Sequence, residues 1–168
     1  MSTTSKPSTA RAVGTTGQAV MTRFIRDYQL GGDEQVLYET VSPDFVDHTP
    51  MFPGAPRGPE GVKAVFDALR SAFDGFSVDV LHQVADDEHV MTHKIFRGRH
   101  TGEFLGIPAT GTSVRFTVMD VVRIADGRIT EHWGLVDRSA LLGQLQAAMD
   151  APPDASALQP RTGGTATA

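Results

Sequence analysis

The stretch SVRFTVMDVVRIADGRITEHWGLVD, residues 113–137, decides the fold. Its large apolar residues recur at every second position, the period of a half-buried strand. Asp126-Gly127 interrupts the alternation with the pair that a tight hairpin turn prefers. The spacing predicts one strand over Ser113–Ile124 and another from Arg128 to about Asp137. The pattern continues upstream. Phe76, Val78 and Val80 alternate with Ser77, Asp79 and Leu81, and Asp86-Asp87-Glu88 supplies a turn. His89 to about His100 is the next strand, with Val90, Thr92, Lys94 and Phe96 on one side. Met91, His93, Ile95 and Arg97 fall on the other. Residues 102–111 form a connecting loop.

Before this meander the period changes. Val20, Met21, Phe24, Ile25 and Tyr28 recur at three- and four-residue spacing, which predicts an amphipathic helix from Gln18 to about Leu30. Gly31-Gly32 ends it, and Asp33 caps a short second helix reaching about Val41. Pro43 precedes a short strand, Asp44–His48. Residues 49–58 are a Pro/Gly loop whose Met51 and Phe52 point to a covering role. Pro59 suits the first turn of a third helix, with Val62, Val65, Phe66, Leu69 and Phe73 as its buried stripe. Ser139–Met149 closes the pattern as a helix. Helices grouped before an antiparallel meander mean an α+β fold.

Composition fits one globular domain. Of 168 residues, 40% are hydrophobic and 21% charged. Residues 1–15 and 151–168 are poor in large apolar side chains and read as a disordered leader and tail around a domain over 16–150. A net charge of -5 with scattered basic residues argues against nucleic acid as a partner. The absence of cysteine removes disulfides, thiol nucleophiles and thiolate metal sites, and fits a cytoplasmic location. No apolar run approaches the ~18–20 residues that span a bilayer, so no membrane partner is expected. The first residues lack the apolar core of a secretory signal.

The segments PDFVDHTPMFPGAPRGPEGVKAVF (43–66), HTGEFLGIPATG (100–111) and DGRITEHW (126–133) carry a resemblance. Over residues 18–146 the chain resembles the SnoaL-like polyketide cyclase, or ester cyclase, family of the nuclear-transport-factor-2-like superfamily. That resemblance implies a cone-shaped α+β barrel: a strongly curved mixed or antiparallel sheet, three covering helices and a short C-terminal helix. It implies an apolar pocket for a hydrophobic small-molecule substrate, chemistry without metal or organic cofactor, and a homodimer. It also marks departures. The family's aldol cyclases use an Asp on the last strand, and that position is Gly134 here. A family histidine falls at Asp120 and a family asparagine at Asp47.

Alternation selects the candidate site. Val114, Phe116, Val118, Asp120 and Val122 share a strand face, and Asp120 is the one charge among them. Desolvation would raise its pKa and make it a base or a neutral acid near pH 7. The other reading is a buried Asp that caps backbone or pairs with an Arg on a neighbouring strand. His132 shares a face with Thr130, Gly134 and Val136, and the resemblance turns that face to the pocket. It is either a proton carrier titrating in the working range or a core histidine tied to a backbone carbonyl. Gly134 leaves room for a substrate ring. Asp47 and His48 are adjacent, so a regular strand turns only one of them inward. The resemblance favours Asp47, while His48 could turn in with the loop. Phe52, Phe116, Val118 and Trp133 are candidate pocket walls, although alternation leaves Trp133 on the outer face. Arg97 either stabilises an enolate or carboxylate or pairs with an acid across the sheet. Asp137 reads as a helix cap. His82, His89 and His100 read as surface or turn residues. No ligand spacing such as H-x-H or H-E-x-x-H occurs, so no metal is expected.

The functional expectation is a cofactor-independent acid/base enzyme for a hydrophobic, carbonyl-bearing molecule: a polyketide-like cyclase, isomerase or dehydratase. Asp120, His132, Asp47 and His48 supply its proton-transfer groups. Two alternatives stand beside it. One is epoxide-hydrolase-like water addition through Asp120 and Arg97. The other is a non-catalytic domain that binds a small ligand or dimerises.

Overall fold

A computed structural model describes residues 10–150, with side chains from Thr16 onward. The predicted tail, 151–168, and residues 1–9 of the predicted leader lie outside the described residues. Helix α1 spans Ala10–Arg23, which brings the last part of that leader into a helix. This stretch reads as disordered because it is poor in large apolar side chains, yet it continues the helix that follows it.

The chain then widens into a π-helical segment, Phe24–Leu30, with Phe24, Ile25, Tyr28 and Gln29 buried. Helix α2 is Glu34–Thr40, and Asp33 accepts the Gln35 and Val36 amides at its start as expected. Strand β1 is Val41–Asp47 and helix α3 is Pro59–Ala72. Strands β2 (Phe73–Ala85), β3 (His89–His100), β4 (Ser113–Ala125) and β5 (Arg128–Val136) form the meander, and helix α4 is Arg138–Asp150. Asp126 and Gly127 take φ of 50° and 72°, the left-handed pair of a type I′ hairpin.

The curved, unclosed sheet has order β1-β5-β4-β3-β2. All neighbours are antiparallel except β1 and β5, which run parallel. Thus the α+β class holds, and the sheet is mixed through that one pair. Its inner face packs on α1, the π segment and α3 through an aromatic core. Phe66 and Phe96 meet edge-on at 6.4 Å, and Phe96 meets Phe116 at 5.5 Å. His100, expected at a turn or surface, is instead buried against Phe73. Asp137 accepts the Ala140 amide at 2.9 Å and so caps α4. Among the described residues no helix is long and apolar enough to cross a membrane.

Candidate active site

Register places the polar residues of the inner face. Asp47 on β1 is aligned with His132 on β5. Asp120 on β4 is aligned with Gly134 on β5 and with Thr92 on β3. Lys94, two residues further along β3, lies diagonally from Asp120. Diagonal neighbours are within reach of long side chains.

These side chains join into one chain of contacts. His132 Nδ1 lies 2.9 Å from Asp47 Oδ1, and Nε2 lies 3.2 Å from Asp120 Oδ1. Asp120 Oδ2 is 2.5 Å from Lys94 Nζ. The ammonium also donates to Gln29 Oε1 at 3.2 Å, from the π-helical segment. Asp47 Oδ1 further accepts the Thr49 amide at 2.9 Å. Charge alternates along the line: carboxylate, imidazolium, carboxylate, ammonium. Only the doubly protonated imidazole can donate to both carboxylates.

Electrostatics agrees with that assignment. Burial opposes charge on His132, but its bonds to Asp120 and Asp47 outweigh burial and push its pKa up to about 9. Burial raises the Asp120 carboxyl, yet the Lys94 charge and the His132 hydrogen bond hold it below the usual carboxylate range. The expectation that desolvation would raise Asp120 therefore has the wrong sign, because two cations sit against it. The same competition, with His132 as the cation, leaves Asp47 lowered. His132 is thus charged at neutral pH and does not titrate in the working range.

Asp47, Lys94, Asp120, His132 and Gly134 line a cavity of about 410 Å³. Its walls are mainly apolar, including Phe24, Phe45, Val65, Phe66, Phe96 and Val118. Such a volume and lining suit a small organic ligand. Arg138 at the start of α4 also lines it and donates to the Met51 carbonyl at 2.9 Å. Thr49 Oγ1 accepts the Gly134 amide at 2.6 Å. The Pro/Gly loop is thereby fastened beside the cavity.

The other sequence candidates lie elsewhere. His48 is on the outer face: its ring stacks on Trp133 at 4.5 Å and its Nε2 lies 2.9 Å from Glu131. Strand alternation puts it there, and the loop does not turn it inward. Trp133 is therefore an outer-face residue and not a pocket wall. Arg97 pairs with Asp79 at 2.8 Å on that same outer face, the second of its two readings. Water addition through Asp120 and Arg97 loses its cation, since the sheet separates them. Phe116 is core and Phe52 is half-buried against the core; neither lines the cavity.

Gly134 has a different use from the one expected. A Cβ there would lie 2.8 Å from His132 Cε1 and 2.9 Å from Nε2. The space left by the missing side chain is filled by the protein's own imidazole, which crosses it to reach Asp120. Gly134→Ala is expected to displace that ring. Its pKa should then fall from about 9 towards the ordinary histidine value, measured by NMR of the ring protons. Because folding raises this pKa, its contribution to stability is full below ~6.5 and is lost as pH rises through about 9. The variant should lose that slope in urea titrations run across this range. An unchanged titration would show that the ring does not need the gap.

Sequence reasoning did not select Lys94, Gln29 or Arg138. The signal for Lys94 was present: it is the one charge on a face shared with Val90, Thr92 and Phe96, the criterion that selected Asp120. Among the described residues no three His, Asp or Glu side chains are grouped so as to hold a metal ion.

A SnoaL-like polyketide cyclase profile matches residues 19–145. The chain belongs to that family. Members with similar sequences include the aklanonic acid methyl ester cyclase DauD of Streptomyces sp. (strain C5), 30% identical over 117 residues, 66% of this chain and 69% of that one. The nogalonic acid methyl ester cyclase of Streptomyces nogalater is 26% identical over 110 residues, 64% of this chain and 81% of that one. Among solved structures, TsrD from Streptomyces laurentii has a TM-score of 0.71 at 28% identity, covering 79% of this chain and 96% of its own. Within this SnoaL-like framework, positions 47, 120 and 134 all line the cavity, and they carry Asp, Asp and Gly.

Proposed function

We propose that the protein is a polyketide cyclase that works by proton transfer, without metal or organic cofactor, on an apolar carbonyl-bearing intermediate of secondary metabolism. The alternating charge chain on one wall of an oily cavity carries this reading. Both Asp120 oxygens face a cation, whereas one Asp47 oxygen holds the contacts to His132 and Thr49. Asp47 Oδ2 is therefore the base. It takes the C–H proton beside a carbonyl, and that carbon's electron pair forms a bond to a second carbonyl carbon. The C=O π pair moves to oxygen, which takes back the proton from Asp47. His132 holds the carboxylate in place, and Asp120 fixes the ring. Isomerisation and dehydration begin with the same proton removal, so the geometry of the bound molecule selects among them.

The test uses aklanonic and nogalonic acid methyl esters in D₂O. Ring closure, or deuterium entering the carbon beside the carbonyl, is expected. Binding without either would assign the domain to non-catalytic ligand holding.

We also propose a homodimer through the outer sheet face. Leu135, 72% exposed, is aligned with exposed Met119, and Met91 lies nearby on β3. Sedimentation at micromolar concentration should give twice the chain mass, and a one-chain mass would overturn the pairing.

A further inference from the structure

We infer that Lys94 is a catalytic residue: its ammonium group receives the substrate oxygen on which negative charge develops. The inference deepens the proton-transfer reading above and rests on it for the identity of the ligand, an enolate. Lys94 is buried, 2% exposed, and lines an apolar cavity. A cation in that setting carries a desolvation cost, and a pair of apolar residues would fill the space as well or better. Its presence therefore points to something other than packing.

Geometry defines what it can bind. An ammonium has three donors. Gln29 Oε1 accepts one of them, and Asp120 Oδ2 lies 2.5 Å from the group as its ion-pair partner. The ring of Phe96, with its centroid 5.1 Å from Nζ, is a further neighbour without an oxygen. Among the described residues no third oxygen partner of Nζ occurs, which leaves one donor for a ligand oxygen. Gln29 and Asp120 hold the group so that it need not reorganise as charge appears, the condition under which electrostatic stabilisation is effective.

The charge count supports the same assignment. At rest the two carboxylates, the imidazolium and the ammonium cancel. Once Asp47 has taken a proton from carbon, these four groups carry one net positive charge. The substrate then carries one negative charge on its enolate oxygen. Lys94 keeps its three protons and donates one hydrogen bond. The favoured ligand is thus a conjugated, enolisable ketone whose oxygen reaches Lys94 while its acidic carbon faces Asp47. Asp120, His132, Asp47 and Arg138 are the other charged groups lining the cavity.

A phenol mimics the enol, and its anion mimics the enolate. The probe is 4-nitrophenol, whose two forms differ in visible absorption. Wild-type protein should bind the phenolate at least about tenfold more tightly than the phenol, lowering the bound pKa by about one unit. Lys94→Met should lose that preference, and Lys94→Arg should keep part of it. Equal affinity for both forms in the wild type overturns the inference, whether or not the variants fold. Retained phenolate preference in a folded Lys94→Met also overturns it, by assigning the charge to His132 or Arg138. The assay needs no turnover. Phenolate preference without deuterium exchange would keep Lys94 as the anion site and reject Asp47 as base, and the opposite result would do the reverse.

Discussion

Asp47→Asn should slow deuterium exchange and ring closure by about 10²- to 10⁴-fold, the usual worth of a positioned general base. The substitution is nearly isosteric. Its amide oxygen can still accept from His132 Nδ1 and from the Thr49 amide, so β1 and the loop keep their positions. What disappears is the negative charge and the basic oxygen facing the cavity. The imidazolium also loses one of the two carboxylates that raise its pKa, which should drop from about 9 but stay above the ordinary value because Asp120 remains. Fold retention is checked by urea titration and the site by the histidine titration. Wild-type exchange in a variant with an altered imidazole pKa would remove Asp47 from the base role.

The second large effect concerns stability. Asp120→Leu should cost about 3–5 kcal/mol, because it strands a buried cation. Lys94 is 2% exposed and Asp120 5% exposed, so the stranded charge stays out of bulk water. Replacing both, Lys94→Met with Asp120→Leu, should recover most of that loss, since an apolar pair of similar volume avoids two desolvation costs. Urea midpoints of the two single variants and the double variant give the coupling. If the double variant is as unstable as Asp120→Leu, the ion pair is not what Asp120 stabilises. The double variant should be inactive even if it is more stable, which would separate the function of the pair from its folding cost.

The sheet was legible because alternation over β3, β4 and β5 is nearly unbroken and Asp126-Gly127 fixes one register. The register that the turn itself sets, with Ala125 opposite Arg128, would leave His132 facing away from Asp120. A bulge between Arg123 and Ile124 shifts the pairing by one residue and brings both to the inner face, so spacing alone reads Asp120 but not the face of His132. The rest depended on information that spacing lacks. Alternation gives the face of a residue, but not which residue of a neighbouring strand it meets. The parallel pairing of β1 with β5 was needed to bring Asp47 to His132, and nothing local encodes it. The sign of the Asp120 shift was missed for a related reason: desolvation is visible in one strand, whereas compensation by Lys94 requires the next strand. Gln29 was hidden by helical geometry. The wider turns of Phe24–Leu30 alter the angular step between residues, so a period of 3.6 misplaces the side chains near its end.

That parallel pairing has a consequence for synthesis of the molecule. Asp47 and His132 are 85 positions apart along the polypeptide. During translation the first acid emerges long before its imidazole, and no short-range event can unite them. The line of alternating charges therefore closes only when the final strand inserts between β1 and β4. A product truncated ahead of residue 128 would keep Asp47, Lys94 and Asp120 and yet lack His132, the one side chain that links the two acids.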